Sequence, residues 1–203
     1  MNTRYLIPGL SALLLAVVFP AYWIPEFAVS YDSFEAHFWN NVATLNYHDS
    51  IFVVIGLLAA YICYALMSKL HDELNYKTLD PLLWILIAVN LLFTGTIGID
   101  ITAAIAGDEL AAASKDALMS TALVISLGCT IVFGVLDIII GIILVRSGES
   151  TPTILKLFGA VTIIQGLCEL VFFFVFAVVF IYPVALILLA IYFLRTPETI
   201  EVV

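Results

Sequence analysis

Two apolar runs, residues 82–106 and 117–145, are each long enough to cross a bilayer, and each holds one carboxylate, Asp100 and Asp137, with no Lys or Arg inside it. At 1.5 Å per residue, about 20 apolar residues cover the roughly 30 Å of hydrocarbon in a membrane. A chain at that depth must satisfy its own backbone N–H and C=O groups, so runs of this kind are expected as transmembrane helices. An ionisable side chain buried there is costly and marks a functional site by default. The first run also carries Asn90, Thr94 and Thr96, and the second carries Ser126, Thr130, Gly134 and Gly141.

The rest of the chain repeats the pattern. With 64% hydrophobic and 11% charged residues it falls far outside globular composition, and its 203 residues leave no room for a soluble domain beside the spans. We expect an all-α polytopic membrane protein in which residues 1–203 form a single domain. Its six spans should lie at about 5–24, 51–68, 82–106, 117–145, 154–174 and 176–195. Arg4 precedes the first span, but Pro8 and Pro20 interrupt it and no A-x-A site follows, so a retained span is favoured over a signal peptide.

Boundaries follow from local signals. Asp32 and Glu35 form a capping box, and Phe34, Phe38, Val42 and Leu45 recur at helical spacing. An amphipathic helix lying on the outer membrane surface between spans 1 and 2 is the expectation. Asp49 or Ser50 should cap the second span, a loop at 69–80 should follow, and Asp80-Pro81 reads as an N-cap with proline at the first helical position. The 42 apolar-dominated residues 154–195 would make one helix roughly 63 Å long, so two crossings are implied, with the turn between Val171 and Ile181.

Charge orients the bundle. If the N-terminus is cytoplasmic, Arg4, Lys69, Lys77, Arg146, Lys156 and Arg195 all lie inside and only Lys115 lies outside, as the positive-inside rule requires. Both termini are then expected on the cytoplasmic face of a cell inner membrane. The acids concentrate on the outer face, which would attract cations. That acidity, with no basic patch anywhere, excludes a nucleic-acid partner.

Five residues are candidates for a polar path: Asn90, Asp100, Asp137, Gln165 and Glu169. Counting along each span puts Asp100 and Glu169 in one layer and Asn90 and Asp137 in another roughly 18 Å away, with Gln165 between. With no buried base at hand, these acids would hold protons or a small cation. Ser126, Thr130, Gly134, Asp137 and Gly141 share a stripe within about 80°, a small-residue face suited to close helix packing. The first and sixth spans show no polar face, and they are expected against lipid or a partner chain.

Two functions fit this pattern. One is a transport protein or channel linked to protons or cations; the other is a non-catalytic subunit or assembly partner of a larger membrane complex, with a homo-oligomer compatible with either. An enzyme fits less well. No histidine pair lies at haem-ligand depth, and the two aspartates are too far apart for a proteolytic dyad. No cofactor is expected. Glu35, His37, His48 and Asp49 are a weak metal candidate whose spacing matches no strong motif. Cys63, Cys129 and Cys168 fall within spans and read as small packing residues.

Overall fold

The computed structural model describes residues 3–27, 45–107, 112–149 and 151–195. Six of its helical stretches are long and apolar enough to cross a membrane: Leu6–Pro25, Tyr47–Leu74, Asp80–Ala106, Ser114–Arg146, Thr153–Leu170 and Phe174–Leu194. Among the described residues there is no strand. The interfacial helix expected over 32–45 lies outside the described residues except for Leu45.

Each helix packs on its neighbours in sequence, and the ring closes. Helix α1 (Leu6–Phe27) meets α2 (Tyr47–Leu74), which meets α3 (Asp80–Thr94) and its short continuation α4 (Ile97–Ala106). Helix α3 packs on α5 (Ala112–Arg146), α5 on α6 (Thr153–Leu170), α6 on α7 (Val178–Leu194), and α7 on α1. Short connections between antiparallel neighbours account for the order from α2 to α7, while residues 28–46 separate α1 from α2. Residues such as Ile7, Val17, Trp84, Val124, Phe180 and Ile191 project outward and exposed, an apolar exterior far larger than a water-soluble protein carries.

Several boundaries differ from the expectation. The second span begins with Asn46 as N-cap, its side chain accepting from the His48 backbone N–H at 2.7 Å. Asp49 closes the capping box from the third position by accepting from the Asn46 N–H at 2.7 Å. Neither Asp49 nor Ser50 is the cap. The same helix runs on through the supposed loop to Leu74, and Asn75 in a left-handed conformation (φ 47°) ends it. Helix α3 starts at Asp80 with Leu79 as its cap, and the Asp80 carboxylate binds His71 Nε2 at 2.7 Å instead of capping. The third span is also broken. Around Gly95 and Thr96 the backbone bonds tighten, with Thr96 N–H on Phe93 O and Ile99 N–H on Thr96 O, and Thr96 Oγ1 takes the Phe93 carbonyl as well.

The turn between the last two spans falls where expected and has a simple construction. Val171 is extended, and a 3-10 segment Phe172–Ala177 leads into α7. Such a turn satisfies its backbone internally, so no Gly or Asn is needed to mark it.

Candidate functional site

The site grows out of a close contact between two helices. Helices α5 and α6 run antiparallel, and two glycine pairs let their backbones touch. A Cβ on Gly141 would stand 2.5 Å from the Gly159 carbonyl oxygen, and one on Gly166 would stand 2.5 Å from the Gly134 carbonyl oxygen. Only hydrogen fits at these positions. The stripe predicted on α5 is therefore a packing face at Gly134 and Gly141, while Thr130 and Ser126 stay within their own helix, Thr130 Oγ1 donating to Ser126 O at 2.8 Å.

Between the two glycine pairs lies Asp137, and across from it lies Gln165. The Gln165 amide nitrogen donates to Asp137 Oδ2 at 2.7 Å and to Glu169 Oε1 at 3.1 Å. One amide group thus holds two carboxyl groups, and all three side chains are buried. Depth counting along the helices put Asp137 and Glu169 in separate layers, but it left out the direction of the side chains. Cα–Cβ bonds lean toward a helix's own N-terminus. In an antiparallel pair the Asp137 and Glu169 side chains therefore lean toward each other, and the amide one turn before Glu169 spans what remains.

Two further titratable groups lie in the same part of the bundle. Tyr182 on α7 and Cys63 on α2 are both within electrostatic reach of Asp137, and Tyr182 is also within reach of Glu169. Each is densely surrounded by protein yet keeps some accessible surface. The Tyr182 ring is held edge-on by Phe19 at 4.8 Å between centroids. Sequence reasoning missed both. Cys63 had been read as packing alone, and the last span as lacking any polar face, although Tyr182 stands beside Pro183 in it. Among the described residues, no ion pair involves Asp137 or Glu169. Glu169 Oε2 is buried with no hydrogen-bond partner.

The other two predicted path residues stand apart. Asn90 does not join Asp137; its amide donates to the Gly56 carbonyl at 2.8 Å and ties α3 to α2. Thr94 presses so closely on Gly56 that a Cβ there would fall 1.9 Å from its hydroxyl oxygen. Asp100, half-buried on α4, is near Asp49 rather than Glu169. Asp49 and Ser50 line a cleft of about 590 Å³ with Tyr47, Val53, Ile97 and Ile101. Of the weak metal candidates, Glu35 and His37 lie outside the described residues. The Asp49 carboxylate is engaged by its capping box, and the His48 ring lies 4.1 Å from that of Tyr47 between centroids. Among the described residues no cluster of three or more His, Cys, Asp or Glu side chains could hold a metal.

A second polar assembly closes the end of the bundle that carries Arg4, Lys69 and Arg195. Lys69, expected in a loop, is fully buried in α2. Its ammonium pairs with Glu73 at 2.7 Å, donates to Phe193 O at 3.2 Å, and lies over the rings of Tyr5 and Tyr192 at 4.7 and 5.0 Å. Arg195 reaches Glu73 at 3.4 Å, and Arg4 pairs with Asp72. Tyr5 donates its hydroxyl to Asp72 at 2.5 Å; burial, and then this bond, hold that phenol above the usual tyrosine range. The legible signal was Lys69 followed by Glu73 at i,i+4, which extends a helix instead of ending it.

No protein-family model, curated protein or solved structure matches this chain.

Proposed function

We propose that this protein carries protons or small cations across a membrane, and that Asp137, Gln165 and Glu169 form its binding site. The observation that supports this is two buried carboxyl groups bridged by one amide within a spanning bundle, with no ion pair to either among the described residues. A pair of that kind must take its compensating charge from outside the protein. In this reading the basic end faces the cytoplasm, as the Lys and Arg distribution requires, and both termini lie there. A periplasm-active reporter that works after Arg195 would refute that orientation.

The test is flux in vesicles reconstituted with the purified chain. Asp137→Asn and Glu169→Gln keep shape and remove the ionisable group. Each should insert and pack normally while losing flux of protons and of sodium or rubidium, whichever the wild type moves. A second reading draws on the same bridge, because it crosses the α5–α6 seam and can serve to hold helices together in a non-catalytic subunit. On that reading Asp137→Asn is mild, while Asp137→Leu, which cannot accept from Gln165, disperses the assembly seen in mild detergent.

A further inference from the structure

We propose that the ligand of this site is the proton and that metal cations are excluded from it, with Glu169 as the carboxyl that exchanges; the proposal rests on the transport reading above. The geometry of the Gln165 amide carries it. Its nitrogen reaches Asp137 Oδ2 at 2.7 Å and Glu169 Oε1 at 3.1 Å, so the partly positive NH₂ group occupies the place the two carboxyl groups share. A sodium or calcium ion would need that place. Hard cations also require a shell of about six oxygens, whereas among the described residues the side chains bonded together at this place are two carboxyl groups and one amide. A proton needs one free oxygen.

Glu169 Oε2 is that oxygen. The Glu169 side chain is only 9% exposed, and among the described residues nothing hydrogen-bonds this atom. A proton can join it without breaking any existing contact, and on release the O–H bond breaks and the proton passes to water. Asp137 is the less accessible of the two, on a helix face sealed by the glycine contacts. Gln165 suits both states of the pair. With the NH₂ group inward it donates to two ionised carboxylates. When Glu169 takes a proton on Oε2, its Oε1 still accepts from the same NH₂ group, so the amide keeps its orientation. Among the described residues, the titratable groups within electrostatic reach of one another here are Cys63, Asp137, Glu169 and Tyr182.

The experiment uses the full chain in vesicles with an entrapped pH-sensitive dye, in parallel with uptake of radioactive sodium and rubidium. The proposal expects dye acidification under an imposed pH gradient, no uptake of either metal ion, and loss of the proton signal in Glu169→Gln. Infrared spectra of the folded wild type give an independent reading: a carboxylic-acid carbonyl band that shifts with deuteration, diminishes in Glu169→Gln and is indifferent to sodium. Metal-ion uptake without proton movement, or a carbonyl band abolished by sodium, overturns the proton assignment and leaves transport through the carboxyl pair standing. If neither protons nor metal ions move, both readings fall.

Discussion

Two groups of buried ionisable side chains lie in this bundle, and they solve the problem of burial in opposite ways. At the basic end, the buried Lys69 meets the buried Glu73, which Arg195 also reaches, and Arg4 pairs with Asp72 nearer the surface, so each acid faces a base. In the α5–α6 seam, Asp137 and Glu169 share the Gln165 amide, and among the described residues no ion pair neutralises them; on the proposed reading, neutrality comes from a bound proton or cation. The first arrangement is closed and joins three chain regions, the start of α1, the end of α2 and the end of α7. The second is open in charge. Breaking one partner of a closed pair strands a buried charge, whereas an open pair has no protein charge to strand.

The sharpest way to break the comparison is to neutralise one acid in the closed network. Glu73→Gln leaves the Lys69 ammonium buried with one carbonyl and two ring faces, and removing one partner of such a pair costs about 3–5 kcal/mol. Unfolding in mixed micelles should show that loss. Lys69→Met combined with Glu73→Gln should recover most of it, because no fully buried charge is then left unpaired; Arg195 also loses Glu73 but is partly exposed to solvent. If the double variant is no better than the single one, the network is not charge-balanced in the way described.

The open site depends on close helix approach. Gly141→Val would drive a side chain into the Gly159 carbonyl and should cost about 3 kcal/mol, the upper part of the range for overpacked sites. It should also separate Asp137 from Gln165. A variant as stable as the wild type, with flux unchanged, would show that the seam can open without consequence.

A smaller effect distinguishes the closed network by pH. Tyr5 is held above its ordinary range by burial and by its bond to Asp72. A group raised in the fold contributes stability that is complete below its unfolded value, about 10 for tyrosine, and that is lost as pH rises from there toward the folded value. Unfolding measured from pH 8 upward should steepen above about pH 10 in the wild type and flatten in Tyr5→Phe. At neutral pH Tyr5→Phe should cost about 1–2 kcal/mol for the lost hydrogen bond to a carboxylate.

Span number and the loose turn after Val171 were legible in the sequence because length and hydropathy act on each helix alone. That Asp137, Gln165 and Glu169 are polar groups at depth was legible too, since each interrupts an apolar run. Their grouping was not legible. Axial counting treats a residue as a point on its helix, and it put Glu169 with Asp100 because it left out side-chain lean across an antiparallel pair. Asn90 was misplaced for a related reason: its partner is a backbone carbonyl at Gly56, and any residue type exposes one. Lys69 was taken as the start of a loop because a lone cation after an apolar run normally marks the membrane edge. The aromatic rings that enclose it come from Tyr5 and Tyr192, far away in sequence, and no local pattern brings them together.

The smallest expected effect on stability is the most informative. Asp137→Asn and Glu73→Gln are the same chemical change, an oxygen replaced by an isosteric amide nitrogen with one negative charge removed. Glu73 is balanced by Lys69 and Arg195, so its loss leaves a cation unpaired. Asp137 has no cation to leave behind, and if it already carries a proton then the substitution replaces one neutral group by another. The Asn oxygen can accept from Gln165 as Asp137 Oδ2 does, and the seam keeps its hydrogen bond. Unfolding free energy should therefore change by less than about 1 kcal/mol in Asp137→Asn, against about 3–5 kcal/mol in Glu73→Gln. The ratio of the two losses reads the charge state of each network directly. A large loss in Asp137→Asn would mean that Asp137 is ionised and paired with a tightly held cation, and the open site would then be a second closed one.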